Sequence, residues 1–323
     1  MKPLHKLFIL FTLIFVLQSC TEDKPGYWKN EQIKASKRED FHQLNTAVLQ
    51  DIKDNNLKHL ESVMSKELIN DKAGMQRRMD HISNYLSTND YSIFDEYYVI
   101  NKWKNADTIK ANQYSLIYEG VAREMYIVFF LPKTGNNKWM ITFVYGKFDY
   151  GWKLSQLDVE PYAINGKTAP ELFKLAKQEY AYNYFSNAAT NMNLASTCLR
   201  PNDLWKYQDD SLIYTFESQA LVDASKHYKF PLIINQVATH PRIFHIANQK
   251  MQQGTYPMIS YLTSVNLKDI VAIKKENEAI KKVIGKLIPG IDKDNDYLIY
   301  TAFNKFPNNR ESVDRYEMDD KLK

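Results

Sequence analysis

The sequence predicts an α+β protein made of tandem units, each a set of helices followed by a curved antiparallel sheet, entered through a short apolar leader. Three observations carry that prediction. Apolar residues recur at helical spacing over 36–68, five strand-like blocks follow between 91 and 159, and the helix-then-sheet order returns from residue 168.

The leader comes first. Lys2, His5 and Lys6 precede an apolar run over 7–17 broken only by Thr12. A membrane-spanning helix needs about 20 apolar residues, so this shorter run has the layout of an export signal. It ends in Leu17-Gln18-Ser19-Cys20, which resembles the lipobox of bacterial lipoproteins. The resemblance implies a signal peptide over 1–19, removed by cleavage before Cys20. The Cys20 thiol then carries diacylglycerol and makes the lipid bilayer the first partner. It also implies a lipid-anchored place on a cell-envelope membrane, the outer membrane with the body facing the periplasm or the surface. Thr21-Glu22-Asp23 resembles a surface-export signal and reads equally as a solvated acidic linker.

Hydrophobic residues make up 44% of the chain, with 22 Tyr and 16 Phe, which is ample material for globular cores. The formal charge of +4 falls to +2 once Lys2 and Lys6 leave with the signal peptide. That near-neutral balance, with export, argues against a nucleic-acid partner. The mature chain exceeds what one core usually supports, so two domains are expected. Cys198 is the only cysteine besides Cys20, which leaves no internal disulfide. Its neighbours, Leu194-Ala195-Ser196-Thr197 and Leu199, predict a buried, inert thiol.

Residues 20–35, with Pro25 and Gly26 among charges, read as a tether. Ser36 and Glu39 have capping-box spacing at the head of a helix whose Phe41, Leu44, Val48 and Ile52 form one apolar face. A second helix is predicted after Asp54-Asn55-Asn56 from Leu57, Leu60, Met64 and Leu68, ending at Asn70-Asp71. Strand-like blocks occupy 91–103, 113–121, 124–131, 138–148 and 152–159. Thr134-Gly135-Asn136-Asn137 supplies a hairpin turn. In the fourth block Trp139, Ile141, Phe143 and Tyr145 fall on one face, and Met140 and Val144 on the other.

Two helices parted by Asp-Asn-Asn, then a sheet ending in Gly151-Trp152-Lys153-Leu154 and Leu157-Asp158-Val159, resemble the NTF2-like (cystatin-like α+β) superfamily over 36–163. The resemblance implies a pocket between helices and sheet, which some members use as enzymes and many only for binding. Candidate pocket-wall residues are Trp103, Tyr118, Trp139 and Tyr145, each equally a core aromatic.

Residues 161–170 read as a linker, and Thr168 with Glu171 forms a second capping box opening a domain over 168–306. Leu172, Leu175, Ala176 and Phe185 give its helical face. Strand-like runs follow at 212–221, 230–237, 242–247 and 258–265. A long helix over 267–288 carries Ile270, Ile273, Ile280, Ile284 and Leu287 on a stripe with Asn277, and Lys268, Lys275 and Lys282 on another face. One more strand is expected at 297–303, and residues 307–323 read as a charged, frayed tail.

Catalytic signatures are missing. Gly166-Lys167-Thr168 imitates the end of a phosphate-binding loop, but Pro161 stands where its first Gly belongs. Asp292-Lys293-Asp294-Asn295-Asp296 imitates a calcium loop, but Tyr297 and Phe303 replace the turn Gly and the bidentate Glu. No two histidines have zincin spacing. The expectation is therefore a binding or assembly protein of the envelope with no metal or cofactor, its second partner another envelope protein. The alternative is an enzyme or small-ligand carrier using the NTF2-like pocket.

Overall fold

Period-two alternation along the central strands decides the architecture. The computed structural model describes residues 24–102, 106–307 and 313–323, so the signal peptide, Cys20 and Trp103 lie outside the described residues. Strands β1 (Gly26–Lys29), β2 (Tyr91–Ile100), β5 (Glu124–Pro132), β6 (Lys138–Phe148) and β7 (Gly151–Ala163) pair antiparallel in the order β1-β2-β5-β6-β7. On β6, Ile141, Phe143 and Tyr145 enter one core while Met140 and Val144 enter another. Tyr98 and Tyr97 on β2 divide in the same way.

The first face packs against α1 (Ala35–Lys53), α2 (Leu57–Leu60), α3 (Lys66–Ile69) and α4 (Lys72–Thr88). Phe41, Val48 and Ile52 of α1 are buried as their spacing predicts, and Phe41 stacks on Tyr126 with centroids 4.0 Å apart. The Ser36–Glu39 box does not form, because α1 starts earlier, at Ala35, and is capped by Lys34 without a side-chain bond. The single helix expected over 57–68 is broken. Met64 bridges to Leu154, and the Ser65 amide donates to the Leu154 carbonyl at 2.8 Å, which holds the chain extended there. Asp71 opens a helix: its side chain accepts from the Gly74 amide at 3.0 Å and caps α4, whose Met75, Met79 and Ile82 are buried. The expected tether is shorter than 20–35. The chain joins the sheet at Gly26, because Trp28 packs on Tyr98 and Ile33 is buried.

The other face of the sheet is covered by a hairpin of the first half together with elements of the second. Strands β3 (Ala106–Lys110), β4 (Tyr114–Glu119) and β8 (Trp205–Tyr207) form a small antiparallel sheet. Helices α5 (Ala169–Ala181), α6 (Phe185–Thr197) and α7 (Asp210–His227) complete that layer. Val99, Phe129 and Met140 of the large sheet share one core with Leu172, Met192 and Trp205. Residues of the units 36–163 and 168–306 therefore share this core, beside one core formed within each half. The linker expected at 161–170 shrinks to a turn: β7 runs to Ala163, and Ile164 and Lys167 bridge across Asn165 and Gly166, at φ of 52° and 74°. The Thr168–Glu171 capping box forms as expected.

The third layer is the sheet β13-β12-β11-β10-β9, made of β9 (Leu232–Ile233), β10 (Arg242–Lys250), β11 (Thr255–Leu262), β12 (Tyr297–Phe303) and β13 (Arg315–Lys321). β11 and β12 run parallel, joined by α8 (Ile270–Leu287), so this half does not repeat the all-antiparallel first sheet. Ile273, Ile280 and Ile284 of α8 pack on Ile259, Tyr261 and Tyr300, which places its predicted stripe in the core from Ile273 onward, while Ile270 at the start of the helix is exposed. The strand expected at 212–221 is instead α7. Its β-branched and aromatic residues look strand-like, but Ile213 and Ala220 bury one helical face, leaving Leu212, Tyr214, Leu221 and Val222 exposed. Within 230–237 only two residues are strand, since Pro231 cannot donate to a ladder. The expected tail ends in a strand: β13 pairs with β12 and alternates Tyr316 and Met318, which pack on the core, with outward charges suited to a sheet edge. Among the described residues, no helix is long and apolar enough to cross a membrane.

Candidate functional site

Between the small sheet and β6 and the edge strand β7, a cleft of about 600 Å³ opens at the rim of the large sheet, within the size range of ligand sites. Tyr118 of β4, Met125 of β5, Val144 of β6 and Leu204 supply an apolar floor. Arg78, Gln156, Asp158 and Asp203 stand among the polar residues of its wall. Gln156 Nε2 donates to Asp158 Oδ2 at 2.5 Å. Burial raises the Asp158 carboxyl above its ordinary value, and the charge of Asp203 adds to the rise while Gln156 and Arg78 oppose it. Glu160, two residues along β7, is raised by burial and by the charges of Asp158 and Asp203. The arrangement suits a ligand with an apolar body and a cationic end, whose charge would bring these carboxyls to ionise.

The predicted wall residues do not converge. Trp103 is outside the described residues. Tyr118 lines the back cleft, its hydroxyl donating to Asn101 Oδ1 at 3.3 Å and pushed up to about 12 by burial, with the Asp107 charge adding. Tyr145 is fully buried on the opposite face of the sheet, among the helix-facing aromatics. Trp139 borders a separate hollow of about 260 Å³ and stacks on Tyr85 at 4.9 Å. Sequence reasoning missed Arg78, Asp158 and Asp203 as cleft residues. Asp158 was visible only as part of a fold pattern, and three positions so far apart in the chain share no local signal.

A second polar centre sits on β2 just past a bulge between Ile93 and Asp95, where Asp95 and Glu96 are buried on opposite faces of the sheet, Asp95 toward Tyr114 and Glu96 toward Tyr126. Asn30 clips the bulge: its Oδ1 accepts from the Glu96 amide at 2.9 Å and its Nδ2 donates to Asp95 Oδ1 at 3.0 Å. Lys29 lies 2.8 Å from Asp95, and Tyr114 also donates to it. Glu96 takes bonds from Arg38, from Tyr126 at 2.5 Å and from His42 at 2.9 Å. Both carboxylates are saturated, which suits a clamp better than a reacting group.

Cys198 is buried as predicted. Its thiol donates to the Leu194 carbonyl at 3.3 Å and burial pushes it up to about 12. Among the described residues, no three His, Cys, Asp or Glu side chains gather as metal ligands would.

Glu179 is a buried acid of another kind. Asn191 donates to its Oε2 at 2.8 Å, its Oε1 has no partner, and burial lifts its carboxyl to about 7. A folded value above the ordinary one contributes stability that is fully present below about pH 4.5 and is lost as pH rises through 7. Glu179→Gln is therefore expected to raise stability at pH 8 by about 3 kcal/mol and to leave it nearly unchanged at pH 4.5. Urea unfolding of both proteins at the two pH values checks this; an equal effect at both would remove the ionisation argument.

Compared with known proteins, the chain matches no family model and no curated protein.

Proposed function

We propose that the chain is a lipid-anchored envelope protein, acylated at Cys20 on the outer membrane, that works by binding rather than by catalysis. The back cleft is its ligand site, and its ligand is a small amphiphile with an apolar body and a cationic group. The observation that carries the binding reading is the pairing of that apolar floor with Asp158 and Asp203. The anchor reading rests on Leu17-Gln18-Ser19-Cys20, and two or three acyl chains hold firmly at about 0.8 kcal/mol per buried CH₂. Helices on one face of a five-stranded antiparallel sheet support the NTF2-like reading of the first unit. In this chain, however, aromatic side chains fill the middle of the helix-facing side and the cleft opens at the β7 rim, floored mainly from the reverse face. A protein partner is the second reading, favoured by the exposed Leu212, Tyr214, Leu221 and Val222 of α7.

The expected result for the anchor is that the wild-type protein takes up an alkynyl palmitate probe and sediments with membranes, while full-length Cys20→Ser does neither. For the cleft, the released Cys20→Ser protein is titrated with octyltrimethylammonium and with octyl sulfate. The cation should bind, more tightly as pH rises from 4 to 7, and about ten-fold more weakly in Asp158→Asn. Equal binding of the two amphiphiles would defeat the charge argument. A co-purifying protein lost in Leu221→Glu would favour the second reading.

A further inference from the structure

The cleft closest to the anchor lies between β1 and the start of α1. It encloses about 330 Å³ and is lined by Trp28, Ile33 and Tyr98 together with Lys24, Lys34 and Lys37. Lys37 is held in place: its ammonium donates to the Tyr98 hydroxyl at 2.5 Å, lies 4.1 Å from the centre of that ring and stands 3.6 Å from Glu124. Glu124 is shared with Lys147 at 2.6 Å, so it does not neutralise Lys37 alone. Lys24 and Lys34 are exposed and form no ion pair among the described residues. The cleft therefore offers cationic donors above an aromatic and aliphatic floor, the chemistry that receives a phosphate attached to an apolar body.

Its position supplies the occupant. Three residues, Thr21 to Asp23, lie between Cys20 and Lys24, and the four Cα steps from one to the other span at most about 14 Å. With Cys20 acylated, Lys24 stays within that reach of the headgroups, less than two Debye lengths of about 8–10 Å, and folds back into their field whenever the linker is not fully extended. Tyr27 is exposed next to Trp28 on the same strand, and such amphipathic rings favour the membrane–water boundary.

We propose that this cleft holds the phosphate of an anionic phospholipid headgroup from the membrane that carries the anchor, so that the folded body lies β1-edge down on the bilayer. The proposal rests on the acylation of Cys20. It makes the first strand, rather than the lysine face of α8, the surface that meets lipid.

The test is lysine footprinting of the acylated full-length protein in nanodiscs of phosphatidylglycerol mixed with phosphatidylcholine, and of phosphatidylcholine alone, using an acetylating reagent and mass spectrometry. Lys24 and Lys34 are expected to lose reactivity several-fold in the anionic discs, while Lys275 and Lys282 stay reactive in both. Equal labelling of Lys24 and Lys34 in the two discs would overturn the proposal, as would protection of Lys275 and Lys282 instead. Protection in phosphatidylcholine discs on adding millimolar inorganic phosphate would assign the site to free phosphate and overturn the lipid source. Failure of the acylation reading shows separately, as an N-terminal peptide without lipid mass and a protein that does not enter discs.

Discussion

Trp205→Ala is expected to lower the unfolding free energy by about 3–5 kcal/mol and to loosen both halves of the chain together. Trp205 is almost wholly buried and stacks on Tyr114 with centroids 3.6 Å apart, with Phe129 edge-on at 5.5 Å and Tyr162 at 6.1 Å. Tyr114 belongs to the small sheet, while Phe129 and Tyr162 belong to the large one, and Trp205 itself pairs with Leu116 through β8. One indole thus fills the angle between two sheets, and truncation leaves a cavity that neither sheet closes without breaking its ladder. Trp205→Phe keeps an aromatic ring between Tyr114 and Phe129 and is expected to cost only about 1–2 kcal/mol. Urea unfolding followed by far-ultraviolet dichroism and by the fluorescence of the remaining tryptophans reads both effects. A loss below about 1 kcal/mol for the alanine variant, or two separate transitions in the wild type, would contradict a core shared across residue 165.

How far the sequence could be read follows from whether the information was local. The alternation of Trp139 to Tyr145, the Gly135 hairpin and the Thr168–Glu171 cap depend on neighbours a few residues apart, and the structure keeps all three. Apart from the Ser36–Glu39 box, which an earlier helix start displaces, the failures are tertiary. Leu212 to Leu221 has strand composition, yet α6 offers it a surface on which only one helical face need be buried. Arg315 to Lys321 is too charged to announce a strand, but β12 presents an open edge with which it pairs. The back cleft was less legible still. Tyr118 was in view as an aromatic, but Arg78, Asp158 and Asp203 come from α4, β7 and the turn before β8. α4 meets β7 within the first half, and the packing of the second half onto the first sheet adds Asp203.

The buried Glu96 leads to the other large effect. Arg38→Ala leaves a fully buried carboxylate with His42 and Tyr126 as its remaining side-chain partners, and removing one member of a buried pair costs about 3–5 kcal/mol. Arg38 is itself about a third exposed, so the lower end of that range is expected. Glu96→Gln keeps a polar group for Tyr126 and removes the charge, which should cost about 1–2 kcal/mol. In the Glu96→Gln background Arg38→Ala should then cost under about 1 kcal/mol, giving a coupling of about 2 kcal/mol in a double-mutant cycle. A coupling near zero would mean that the carboxylate is satisfied without the guanidinium. The pair also acts at a distance from itself, because Asn30 ties the Glu96 amide and Asp95 to the end of β1, and Lys29 of that strand pairs with Asp95. Loss of Arg38 should therefore speed hydrogen exchange at the Trp28 and Lys29 amides more than at those of β6. That result would make the buried acids of β2 the clamp that holds the first strand, and with it the lysine-lined cleft, in place beside the anchor.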